Sequence, residues 1–223
     1  MKTRNLCATL FATGLFISSA AYAQLNLQQF GIGGGNSSGN AGAAASSGGI
    51  TQLLQNYVGA NQQVLNGQSS LASAMGLSSA ASQAQQASGL LSGGTPSVSQ
   101  LSQVGSTQQS LSQALTQAFS SQSAGSSAPV DKQAFTNGLQ SLGQGVSQYS
   151  SLQSSLGSIG QMSPASLLQS GLNPQTAQAA SYIAQSAPGQ LQSLASTLSA
   201  AVQFATSHGI SVPSIATSAL KGL

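Results

Sequence analysis

From Ile50 onward the apolar residues fall on a helical period. Ile50, Leu54, Tyr57, Asn61, Val64, Gln68, Leu71 and Met75 recur at alternating steps of four and three. That spacing is the stripe of a helix packed on another helix, with Asn61 and Gln68 as polar interruptions. Gly59 and Gly67 weaken it locally, and Gly76 marks a break or kink. A second, weaker stripe of Leu77, Ala81, Ala84, Ala87 and Leu91 contains Gly89 and ends at Gly93-Gly94-Thr95-Pro96.

The same period returns three more times. Val98, Leu101, Val104, Gln108, Leu111, Leu115 and Ala118 predict one helix, with Phe119 beside the stripe, and 123–129 reads as a loop. Phe135, Leu139, Leu142, Val146, Tyr149, Leu152, Leu156 and Ile159 form the most strongly apolar stripe of the chain. Ser163-Pro164 and Asn173-Pro174 are helix starts, with a capping side chain followed by proline at the first helical position. The first starts a short helix that stops at Gly171. The second starts a helix through Ala180, Ile183 and Ala187, which Pro188 should kink or restart because proline removes an internal hydrogen bond. Leu191, Leu194, Leu198, Ala201 and Ala205 continue to Gly209, a C-cap, and Ser214 to Leu220 closes the chain as a short helix.

No useful strand-like alternation occurs. The pattern predicts an all-α fold, an antiparallel helical bundle of four or five long helices, most simply up-and-down. Fragments such as QSSLASAM, QQSLSQAL and LQSLASTL echo one another without a fixed period, so they reflect shared composition and not a repeat.

Ahead of the periodic region lies different sequence. A basic start (Lys2, Arg4), an apolar run from Leu6 to Ile17 and Ala21-Tyr22-Ala23 predict a secretory signal peptide over 1–23. The run is shorter than the roughly 20 residues a membrane span needs. Cys7 lies too far from the cleavage pattern to carry a lipid. Residues 24–49 predict a flexible, disordered Gly/Ser/Ala-rich segment, and 50–223 a single helical domain. Gly31-x-Gly33 is not a phosphate loop, because Asn36 stands where a third glycine is needed and no strand precedes it.

Charge alters the picture most. The whole chain has four Lys and Arg, one Asp or Glu and one His, and 2% of its residues are charged. Soluble domains usually carry about 25%. Beyond residue 23 only Asp131, Lys132, Lys221 and His208 remain, with no arginine and no cysteine. The basic pI of 9.4 is therefore no sign of nucleic-acid binding, which needs clustered Lys and Arg. Disulfides and thiolate metal sites are excluded after cleavage, and metal ligands are too few for any other centre.

The same scarcity argues against an enzyme. One carboxylate cannot act as a pair. Ser–His–Asp chemistry would have to use His208 and Asp131, and Ser–Lys chemistry Lys132 or Lys221, with no nucleophile elbow in the sequence. We therefore assign no catalytic, cofactor-binding or metal residue and expect no cofactor. Helix-end roles account better for Asp131, in the first turn of a helix, for His208 in the last turn before Gly209, and for Lys221 just past the terminal helix. Lys132 is left as simple surface. Most of Tyr57, Phe119, Phe135, Tyr149, Tyr182 and Phe204 lie on or beside apolar stripes, which favours core packing over a ligand cage; Met75 and Met162 read as gap-fillers.

The polar faces remain. In QLQSLASTLSAAVQF, residues 190–204, the outward positions are Gln192, Ser193, Ser196, Ser199 and Gln203. Such a face is compatible with water but supplies no charge repulsion between molecules. The expectation is an exported, non-enzymatic structural or interaction protein of the cell envelope or extracellular matrix. It would reside in the periplasm, at the cell surface or outside the cell, with no transmembrane span in the mature chain. Its partner would be itself or an envelope or matrix component. The alternative is a carrier of an apolar small molecule or lipid between bundle helices. Fibre formation by Gln- and Ser-rich β-stacking is disfavoured by the helical period and the few β-branched residues.

Overall fold

A computed structural model describes residues 47–122, 130–169 and 171–223. Among them the chain is all-α. Seven helices follow in order: α1 Ser47–Ala74, α2 Ser78–Leu90, α3 Val98–Ser121, α4 Lys132–Gly160, α5 Pro164–Gln169, α6 Pro174–Ser207 and α7 Ser214–Lys221. The predicted signal peptide, most of the predicted flexible segment and the 123–129 loop lie outside the described residues.

Helix starts follow local chemistry. Ser97 caps α3 as half of a capping box, its hydroxyl accepting from the Gln100 amide while the Gln100 side chain accepts from the Ser97 amide. Asn173 caps α6 by accepting from the Thr176 amide at 2.8 Å. Gly76 (φ 75°) and Gly209 (φ 60°) turn the chain after α1 and α6 in a left-handed conformation that favours glycine.

Every residue of the stripes predicted for α1 and α4 is buried. On α1 the buried surface is wider than predicted and includes Leu53, Ala60, Leu65 and Ala72, because this helix touches α2, α3, α4 and α6. Core residues from all seven helices form one apolar cluster.

Contacts fix the helix directions. Gly145 meets Val64, Gly67 meets Leu142 and Gly138 meets Leu71, so α1 and α4 run antiparallel. Phe135 stacks on Phe204 and Gly160 faces Ala184, so α4 and α6 are antiparallel too. α3 runs parallel to both its long neighbours, pairing Gln108 with Asn61 and Ser112 with Gln68 of α1, and Gly105 with Gln190 and Phe119 with Phe204 of α6. The short α2 lies against α1 and α3, where its alanines Ala80, Ala81, Ala84 and Ala87 are buried.

The structure corrects several details of the sequence reading. α1 begins at Ser47, so residues 47–49 of the predicted flexible segment are helical. Glycines are poor helix formers, but the packed turns that follow carry them. Of the two outcomes predicted for Pro188, a restart does not occur: α6 runs through it as one helix of 34 residues. Buried residues on both sides of the proline, Ile183, Ala187, Leu191 and Leu194, hold it together. At the end of α3, Phe119 is buried and Ala118 only half-buried, a drift of one residue from the predicted stripe.

Candidate interaction face and buried polar centre

Four helices meet at a cluster of uncharged polar side chains. Asn61 of α1 is its hub: its Oδ1 accepts from Gln108 Nε2 of α3 at 2.8 Å and from Tyr149 Oη of α4 at 2.8 Å. Its Nδ2 donates to the Tyr57 carbonyl at 2.8 Å. On α6, Gln190 Oε1 accepts from Tyr57 Oη at 2.7 Å and lies 2.9 Å from Tyr149 Oη, whose single proton serves either this oxygen or Asn61. One layer along, Gln68 Nε2 donates to Ser112 Oγ at 3.0 Å and to the Gln108 carbonyl at 3.2 Å. The Tyr57 and Tyr149 rings meet edge to face, 5.3 Å apart.

Burial pushes the Tyr57 phenol up, although hydrogen bonds partly oppose the rise. Tyr149 is raised well above the usual tyrosine range by burial, with neighbouring Tyr57 adding to it. Both hydroxyls therefore stay protonated near neutral pH and act as hydrogen-bond donors, not as bases. The cluster contains no charge, and its chemistry is positional: its hydrogen bonds tie α1, α3, α4 and α6 together in the observed register. Gln68 Oε1 and Gln108 Oε1 are buried without a hydrogen-bond partner, so this register is held at a cost.

Among the described residues, the charged side chains stand at helix ends. Asp131 is the N-cap of α4 itself, one position before the predicted first turn, and its Oδ1 accepts from the Ala134 amide at 3.0 Å. His208 is the C-cap of α6; its ring stacks on Phe204 at 3.9 Å and its Nδ1 lies 2.9 Å from the Phe204 carbonyl. Lys221 lies inside the last turn of α7 and not beyond it. Lys132, read from sequence as simple surface, donates to the Gly209 carbonyl at 3.3 Å, placing a cation at the C-terminal end of α6. That role needs two helix ends 77 residues apart to meet, which no local pattern could reveal.

The outward faces of α2, α3 and α6 form the other candidate site. The groove between α3 and α6, about 440 Å³, is lined by Gln113, Thr116, Gln117, Ser120, Ser193 and Ser196 among others. A groove of about 380 Å³ between α2 and α3 presents Gln83, Gln86, Gln103, Ser106, Thr107 and Ser110. Neither groove has a charged lining residue.

The hydroxyls on this face are largely turned inward. Thr107 donates to the Gln103 carbonyl at 2.8 Å, Ser110 to Ser106, Thr116 to Ser112, Ser120 and Ser121 to Gln117, and Ser196 to Gln192. Each such hydroxyl keeps acceptor lone pairs and hydrocarbon for the outside, while the glutamine amides retain donors. The face thus displays both halves of a hydrogen bond with little hydration of charge to remove. No protein-family model, curated protein or solved structure matches the chain.

Proposed function

We propose that this is an exported, non-enzymatic structural or interaction protein of the cell envelope or extracellular matrix, built as a helical bundle that associates with copies of itself. The uncharged face over α2, α3 and α6 carries this reading. Its glutamine donors and serine and threonine acceptors are mutually complementary, so a second copy offers suitable partners. Desolvating amides and hydroxyls that regain hydrogen bonds costs far less than desolvating ions. Export rests on the signal-peptide pattern of residues 1–23.

The alternative, a carrier of an apolar small molecule or lipid between bundle helices, has less support where the cargo is a lipid. The apolar cleft between α4 and α6 is about 180 Å³, below the roughly 300–1,000 Å³ of pockets that enclose drug-sized or larger ligands.

Engineered cysteines test the face, because the chain beyond residue 23 has none of its own. Gln113→Cys and Gln117→Cys, both at exposed α3 positions, are compared with Gln133→Cys, exposed on α4, using a short bis-maleimide crosslinker. The reading predicts dimer from the two α3 variants and little from the α4 variant. Equal crosslinking at all three, or none at α3, contradicts it.

A further inference from the structure

A second site lies between α4 and α6, sharing no residue with the two grooves of the associating face. In this cleft of about 180 Å³, Leu156 and Gly157 of α4 face Ala184, Ala187, Pro188 and Leu191 of α6, with the buried Tyr149 also lining it. Gly157 differs from the glycines that let α1 and α4 approach. A Cβ at Gly67, Gly138 or Gly145 would collide with the neighbouring helix, whereas one at Gly157 would meet nothing within 4 Å. Close packing therefore does not account for the glycine, and the space it leaves is open. Opposite it stands Pro188 inside α6. Glycine and proline are the two residues least favourable to a helix interior, and here they line the two sides of one cleft.

Proline also changes the chemistry of the wall. With no N–H at position 188, the Ala184 carbonyl loses the donor that an ordinary helix supplies four residues on. Ala184 and Pro188 both line the cleft, whose other walls are mainly hydrocarbon, with Gln153 and Tyr149 as its polar lining residues. Apolar cavities of roughly 150 Å³ hold a benzene ring. We propose that this cleft binds a small single-ring aromatic compound carrying an O–H or N–H donor, with the ring against Leu156, Gly157, Ala187 and Leu191 and the donor on the Ala184 carbonyl. It is a site for a phenol-sized molecule.

Phenol and toluene, equal in ring size and different in the donor, are suitable probes. Each is titrated into the isotope-labelled chain lacking residues 1–23, following the backbone amides of Gly157, Ala184, Ala187 and Gly189. The proposal predicts saturable shifts at these amides and phenol binding roughly fivefold tighter than toluene, the scale of one hydrogen bond. Gly157→Leu, which fills open space on a helix surface, should abolish both responses. Pro188→Ala, which restores the missing N–H, should retain both probes while removing the preference for phenol. Absence of saturable shifts, toluene binding as tightly as phenol, undiminished binding by Gly157→Leu, or a phenol preference that survives Pro188→Ala overturns the proposal. Circular dichroism of each variant confirms its helix content, and both substitutions favour helix.

Discussion

Gly67 of α1 lies so close to Leu142 of α4 that a Cβ built on it would stand 2.5 Å from the Leu142 amide nitrogen. The contact is repeated along the pair: a Cβ at Gly145 would stand 3.0 Å from the Val64 nitrogen, and one at Gly138 would stand 2.9 Å from that of Leu71. Glycine is needed here because backbone meets backbone, and no rotamer change can make room.

Gly67→Ala should therefore destabilise the protein by about 3 kcal/mol or prevent folding, the upper end of overpacking costs. Gly59→Ala on the same helix has nothing within 4 Å of its new methyl and should stabilise by ~1 kcal/mol. Urea midpoints of the two variants, moving in opposite directions, check this. Equal and small effects would show that α1 and α4 are farther apart.

At the polar centre, Asn61→Ala removes the acceptor shared by Gln108 and Tyr149 and leaves buried donors unmatched. We expect a loss of about 2–4 kcal/mol, as one or two buried groups lose their partners. Tyr149→Phe removes one hydroxyl while Asn61 keeps Gln108 and Gln190 keeps Tyr57, so its cost should be nearer 1 kcal/mol. Chemical denaturation of both variants measures the difference; similar losses would mean that Asn61 is not the hub.

The same two tyrosines set an alkaline limit. Their folded pKa values lie above the unfolded value of about 10, so the native state holds these protons more tightly than the unfolded chain. Their contribution is fully present below that pH and declines as pH rises from about 10 toward the folded values. Urea midpoints measured between about pH 8 and 11.5 should be level at first and then fall. Tyr149→Phe should make the fall shallower, and an unchanged slope would contradict the assignment.

Much of the helical order was legible in sequence, because a period of 3.6 survives in any helix that buries one face. The eight-residue stripes predicted for α1 and α4 match buried positions residue for residue, including the polar Asn61 and Gln68. Three things were not legible. Gly67 reads as a weak point in a helix, and only the neighbouring backbone makes it a contact. Gln190 resembles the other glutamines until two tyrosines, 133 and 41 residues away, reach its Oε1. The inward turn of the surface hydroxyls depends on side-chain rotamers, which composition does not encode. The face was visible as uncharged; its pairing of glutamine donors with hydroxyl acceptors was not.

Sedimentation equilibrium of the chain lacking residues 1–23, across a wide concentration range and at low and high salt, tests the central claim most directly. A face without charge predicts reversible association whose constant changes little with ionic strength, because there is almost nothing for salt to screen. It also predicts that Gln113→Lys with Ser193→Lys, which puts like charges on the face, shifts the protein to monomer. A chain that stays monomeric at high concentration and low salt, or a double variant that associates as strongly as the parent, would contradict the account.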